Sequence, residues 1–242
     1  MCVCVCVCAY AQWSSLDAKA GHMHADGHQQ CGLGRTGSLF AHTPYDVFPD
    51  LLTLAKPLAN GVPIGATMVA EHVAAALYQG AHGTTFGGNP VACAVANYVL
   101  DQINQPTFLS HVREVGDRLL RAATELQHLY PQWIQDVRGR GLMIGIELKT
   151  PNALVAVPSA SSDGPDGSDG STDASSVTAP PKKKQIDRIV ELARERHLLI
   201  VTAGGTTIRL VPPLIIAHDQ VDTTIQVLKA CFAQIKAAGE AH

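Results

Sequence analysis

Lys56 follows the apolar run Leu51 to Leu54 and stands before Pro57. A residue before proline is steered away from the helical region, so the backbone there is expected to be extended. A lysine amine held in an apolar pocket loses its proton more readily and becomes a nucleophile. Such an amine can form a Schiff base with an aldehyde cofactor. Taken alone the residue decides little, because most lysines are solvated charges. Thr84 and Thr85 lie among glycines in GTTFGGNP, residues 83–90. Hydroxyls and backbone N–H groups in such a loop, next to a helix start, can receive a phosphate. Arg209 lies in the strand-like run IRLVPP. A buried arginine needs a carboxylate, from the protein or from a substrate, and both readings stay open. Residues 31–37 have the glycine density of a phosphate loop. They lack its Gly-Lys-Ser/Thr ending and follow no clear strand, so nucleotide binding there is rejected.

Metal chemistry is not expected. Cys2, Cys4, Cys6 and Cys8 alternate with valine, which fits a strand with its thiols on one face or a site for a soft metal. Their spacing does not match the usual zinc pairs, and no second cluster completes a site. A third reading is that MCVCVC is a translated TG-dinucleotide repeat. On that reading residues 1–29 are unrelated to the rest, disordered or mistranslated. The segment lacks the positive start and long apolar stretch of a signal peptide. It has no arginine before residue 35, so it does not fit a mitochondrial presequence. His22, His24 and His28 read as a solvated loop. Cys31, Cys93 and Cys231 read as buried thiols of an intracellular protein.

These residues need elements to position them. The chain has 242 residues, enough for one large or two modest domains with a core. A net charge of -3 argues against a broad nucleic-acid-binding surface. No apolar run is long enough to span a membrane. Leu51–Leu54 and residues 64–69 read as short strands, flanking Lys56-Pro57 and Asn60-Gly61. Pro90, with Asn89 as its cap, opens a helix to about Ile103. Apolar residues at 108, 112, 115, 119, 123, 126 and 129 predict a second helix. Residues 135–149 predict a strand pair with a glycine-rich approach. Residues 158–181 are rich in Ser, Asp, Gly and Pro and read as a disordered surface insertion. A helix over 185–197, strands at 198–201 and 207–210, and a helix over 219–235 capped by Asp219 complete the chain. Strands alternating with helices imply α/β or α+β layers.

Four segments together resemble the class III, fold-type I pyridoxal-phosphate aminotransferases. They are QCGLGRTGSLFAH (30–42), LTLAKPLANGVPIGA (52–66), HGTTFGGNPVACAVA (82–96) and IRLVPPLII (208–216). VREVGDRL and VRGRGLMIGIEL support them between. The wording LAKPLANG is most similar to the enzymes acting on acetylornithine. The resemblance implies an α/β chain that is part of a fold-type I architecture: residues 30–107 closing the large cofactor domain and 108–242 forming the small C-terminal domain. It implies that Lys56 is the Schiff-base lysine and moves the proton between cofactor and substrate. Thr85 would hold the cofactor phosphate across the interface of a homodimer, Thr84 would lie near the substrate, and Gln30 would sit by the ring hydroxyl. Arg209 would clamp a substrate carboxylate. The implied reaction passes the terminal amine of N-acetylornithine to 2-oxoglutarate, giving glutamate, a step of arginine biosynthesis that eukaryotic relatives run in the mitochondrial matrix.

The resemblance stops at Gln30. The family's Asp-Glu-(Val or Ile)-Gln motif would fall on Gly27, His28, Gln29 and Gln30, and only Gln30 matches. Asp26 is one residue out, which on a strand reverses the face. Family members are about twice as long, and the phosphate cup, the stacking aromatic and the second carboxylate arginine lie in the half without a counterpart. The chain therefore reads as the C-terminal half of an aminotransferase. The alternatives are a non-catalytic truncated paralogue that only binds a subunit, and an enzyme for ornithine or succinylornithine.

Overall fold

A computed structural model describes residues 30–80, 82–149 and 185–240, together with two short strands, Cys2–Cys4 and Ala25–Gly27. The 158–181 insertion and the histidines at 22, 24 and 28 lie outside the described residues. Call the two short strands β1 and β2. They are followed by β3 (Leu51–Leu54), β4 (Ala66–Val69), α1 (Glu71–Ala74), α2 (Pro90–Ile103) and α3 (Pro106–Leu129). Next come β5 (Ile134–Arg140), β6 (Met143–Leu148), α4 (Gln185–Glu195), β7 (Val201–Ala203), β8 (Thr207–Leu210) and α5 (His218–Glu240). The architecture is α/β, with two four-stranded sheets in the orders β1-β4-β3-β2 and β5-β6-β8-β7.

In the first sheet β3 pairs antiparallel with β4 and parallel with β2, placing Asp26 opposite Leu52. β1 pairs antiparallel with β4, Cys2 opposite Val69. Two pieces of the first 29 residues thus join the sheet whose strands β3 and β4 flank Lys56, although that segment reads as unrelated in sequence.

The chain forms two compact units. One comprises Met1–Ala122, Arg138–Ile144 and Leu210–Asp222; the other comprises Ala123–Val137, Gly145–Arg209 and Thr223–His242. The start of α3 continues the core of the first unit through Phe108 and Leu109. That core joins Leu52 and Leu54 of β3, Ala66 of β4, Leu58 and Ala59 of the following turn, Leu33, and Ala96 and Ile103 of α2. Alternate burial along β3 is the reason: Leu52 and Leu54 point in, Leu51 and Thr53 less so. Its α3 portion presents His111, Glu114 and Arg118 to the start of α5. There the His111 ring lies 3.1 Å from the carbonyl of Ile216, and Arg118 grips both carboxylate oxygens of Asp222 at 2.6 to 2.8 Å. The arginine hydrogen bonds hold the Asp222 carboxyl below its ordinary pKa. In the second unit Leu126, Ile134, Ile146, Ile189, Leu192, Ile208, Leu228 and Phe232 are fully buried. Tyr130 stacks on Phe232 at 5.4 Å and donates its hydroxyl to the carbonyl of Lys229.

Local chemistry sets the element ends. Asn89 Oδ1 accepts from the Ala92 N–H at 2.9 Å, and Pro90 occupies the first turn, where no N–H is needed. At α5 the expected Asp219 cap is corrected. The helix begins at His218, Asp219 lies in its first turn, and Gln220 reaches back to accept from the Ala217 N–H. The strand expected at 198–201 is found two to three residues later, at Val201–Ala203, where the ladder with β8 begins. Cys231 is buried as expected, while Cys31 and Cys93 are only half-buried.

Candidate active site

Lys56 sits on a turn directly after β3. The Leu58 N–H closes that turn onto the Ala55 carbonyl at 3.0 Å. The expected extended backbone is corrected: Lys56 has φ of 38°, in the left-handed region. That conformation costs a non-glycine residue about 1–2 kcal/mol. Burying Leu58, 3% exposed and two residues on, returns about 1.5–3 kcal/mol, so packing decides the turn. Asn60 and Gly61 continue it at φ of 46° and 111°. The Lys56 side chain is exposed in this chain and not enclosed in an apolar pocket, because Leu58 and Ala59 take the inward positions. Strain at a non-glycine residue that packing over-determines is the pattern of functional positions.

Thr84 and Thr85 are both exposed, in the loop that leads into α2. Asn89 fixes the loop's downstream end: its backbone N–H and its side-chain amide both donate to the Phe86 carbonyl. Gly88 turns the chain with φ of 72°. Ala96 of α2 belongs to the same core as Leu54, Leu58 and Ala59. The fold therefore ties the lysine turn and the threonine loop to one core through α2.

Gln30 is exposed at the head of the glycine loop, three residues before the fully buried Leu33 of that core. Sequence reasoning passed over the arginine inside this loop. Arg35 Nη1 donates to the carbonyls of Leu142, at 3.1 Å, and Pro212. Burial pushes its guanidinium below the ordinary arginine pKa. The signal available was an arginine between glycines in GLGRTG; its partners are over a hundred residues away and carry none. Arg113 Nη1 holds the same loop through the Gly37 carbonyl at 2.6 Å. Arg209 is half-buried on β8, opposite Val201, between the inward-facing Ile208 and Leu210. It belongs to the second unit, whereas Lys56, Thr84, Thr85 and Gln30 belong to the first.

The donor types suit a phosphorylated aldehyde: an amine at Lys56 for the carbonyl, a hydroxyl at Thr85 for a phosphate and an amide at Gln30 for a ring hydroxyl. A Cβ added at Gly61, Gly83 or Gly88 would meet nothing within 4 Å. Around these glycines the described residues leave both loops open. Among the described residues no cluster of three His, Cys, Asp or Glu could hold a metal. No helix among them is long and apolar enough to cross a membrane.

The profile of the family described as "Aminotransferase class-III" matches residues 28–232. The mitochondrial acetylornithine aminotransferase of Yarrowia lipolytica is 40% identical over 200 residues, 83% of this chain and 40% of that protein. The one from Saccharomyces cerevisiae is 39% identical over 210 residues, 86% of this chain and 42% of that protein. The N-acetylornithine aminotransferase structure from Stenotrophomonas maltophilia K279a is similar with a TM-score of 0.66 and 31% identity, covering 88% of this chain and 47% of that one. The ornithine aminotransferase of Toxoplasma gondii ME49 gives a TM-score of 0.69 at 27% identity, covering 87% and 43%. The chain thus spans about 40% of the length of the curated relatives it matches.

Proposed function

The chain belongs to the class-III aminotransferases, and we propose that it is the lysine-bearing part of an acetylornithine aminotransferase of arginine biosynthesis in the mitochondrial matrix. The observation that carries this reading is the Lys56 turn: an exposed amine on a strained, packed turn inside the segment that the family profile matches. Enzymes of this family depend on pyridoxal phosphate, an electron sink that weakens the bonds at the amine-bearing carbon of the substrate. Lys56 would hold that group through Nζ and, when Nζ is released, carry the proton. The Thr85 hydroxyl would donate to its phosphate in the partner's site of a homodimer. Thr84 would stand beside the substrate and Gln30 beside the ring hydroxyl. Arg209 would take a substrate carboxylate in its two-pronged fork. N-acetylornithine would be the amine donor and 2-oxoglutarate the acceptor, leaving as glutamate.

Ornithine as donor is the second reading, supported by the similarity to the Toxoplasma gondii ornithine aminotransferase. The higher identity to the acetylornithine enzymes favours the first. The test is glutamate formation from 2-oxoglutarate with N-acetylornithine, ornithine and succinylornithine in parallel. Preference for N-acetylornithine, abolished by Lys56→Ala, is expected. Preference for ornithine or succinylornithine replaces the substrate, and no glutamate with any donor favours a non-catalytic, subunit-binding fragment.

A further inference from the structure

Three segments far apart in sequence meet at Arg35. The glycine loop supplies Arg35 itself, the β5–β6 turn supplies the Leu142 carbonyl, and the run leaving β8 supplies the Pro212 carbonyl. The Leu142 N–H returns a bond to the Arg35 carbonyl at 3.0 Å. The approach is close enough to demand glycine. Gly141 has φ of 54°, and a Cβ there would come within 2.6 Å of the Arg35 carbonyl oxygen. Gly37 likewise leaves no room for a Cβ beside the Arg113 stem, whose guanidinium holds the Gly37 carbonyl. All of this lies within the first unit. The two ends of the clasp matter chemically. Gln30 opens the glycine loop five residues before Arg35, and Pro212 follows Arg209 by three residues.

We propose that Arg35 is a positioning residue: by holding the Leu142 and Pro212 carbonyls together, it fixes the course of the run that begins just after Arg209. This rests on the reading of Arg209 as the substrate-carboxylate clamp. A lysine cannot replace it, because its ammonium ends one bond short and lacks the guanidinium's planar fork. Loss of the clasp frees the run after β8 while the core of the first unit stays packed. The consequence falls on carboxylate binding and not on the proton transfer assigned to Lys56.

The experiment is Arg35→Lys in the full chain, with amide hydrogen exchange and steady-state kinetics. Exchange at Leu142 and Ile216, whose N–H groups bond to the Arg35 and Pro213 carbonyls, is expected to quicken about tenfold or more. KM for 2-oxoglutarate is expected to rise about tenfold with kcat within about twofold, the mark of lost uniform binding. Unchanged exchange at both amides overturns the proposal. So does faster exchange with KM untouched, or a fall in kcat at constant KM. Arg35→Gln, shorter but still planar and donating, is the second variant under the same readouts should the lysine variant not fold. A wild-type chain that makes no glutamate overturns the functional reading instead, and the exchange result then decides the clasp alone.

Discussion

Replacing Gly116 of α3 by alanine sets two effects of known size against each other. In a solvent-facing helix the change stabilises by about 1 kcal/mol, because glycine carries the larger backbone entropy. Gly116 is buried, and a Cβ there would fall on the backbone of Gly141, closer than real Cβ atoms come. The obstacle is main chain and cannot rotate away, so α3 and the β5–β6 turn must separate. Overpacking of this kind costs about 1–3 kcal/mol, and a rigid backbone obstacle puts it at the upper end. The net expectation is a loss of about 2 kcal/mol, a fall in melting temperature of about 4–8 °C for a chain of this length. The assay is thermal unfolding followed by circular dichroism, with Ser110→Ala as control. Ser110 is exposed on the same helix and should gain a few tenths of a kcal/mol. A Gly116→Ala protein that melts at or above wild type would refute the claimed close approach of α3 to Gly141.

Asn89→Ala removes the cap that accepts from Ala92 and should cost about 1 kcal/mol, or about 2–4 °C in the same melting assay. Asp222 has its pKa depressed by Arg118, so its contribution is present above the unfolded carboxylate pKa and is lost as pH falls through the folded value. The melting difference between wild type and Asp222→Asn should therefore be present at neutral pH, vanish in acid below the ordinary carboxylate range, and shrink in molar salt; a difference independent of pH would contradict the pairing. Burial pushes the Cys231 thiol up, which lowers its thiolate fraction at neutral pH. Mapping of alkylated peptides should find Cys31 and Cys93 modified in the native protein and Cys231 only after denaturation.

Elements that local chemistry dictates were legible in the sequence. The alternation in LLTL gives β3, and Asn89-Pro90 gives the start of α2. The seven apolar positions from 108 to 129 give α3, which extends from Pro106 to Leu129. Features set by distant packing were not legible. The left-handed backbone of Lys56 follows from Leu58 reaching the core, against the local preference before proline. Arg35 carries no sequence pattern that reveals partners 107 and 177 residues away. At α5 two polar residues stand near the helix start, and only the geometry decides that Gln220 reaches back to the Ala217 N–H. Of the site, the residue types and their loops were readable, whereas the openness of both loops, with Lys56, Thr84 and Thr85 exposed, came from the structure.

Lys56, and not another lysine, is the amine proposed for the cofactor. The direct measurement adds pyridoxal phosphate to the protein isolated from the cells that make it, reduces with borohydride, and maps the modified lysine by mass spectrometry. A single phosphopyridoxyl adduct at Lys56, absent in Lys56→Ala, is expected. Label spread over the surface lysines, with no preference for Lys56, would contradict it.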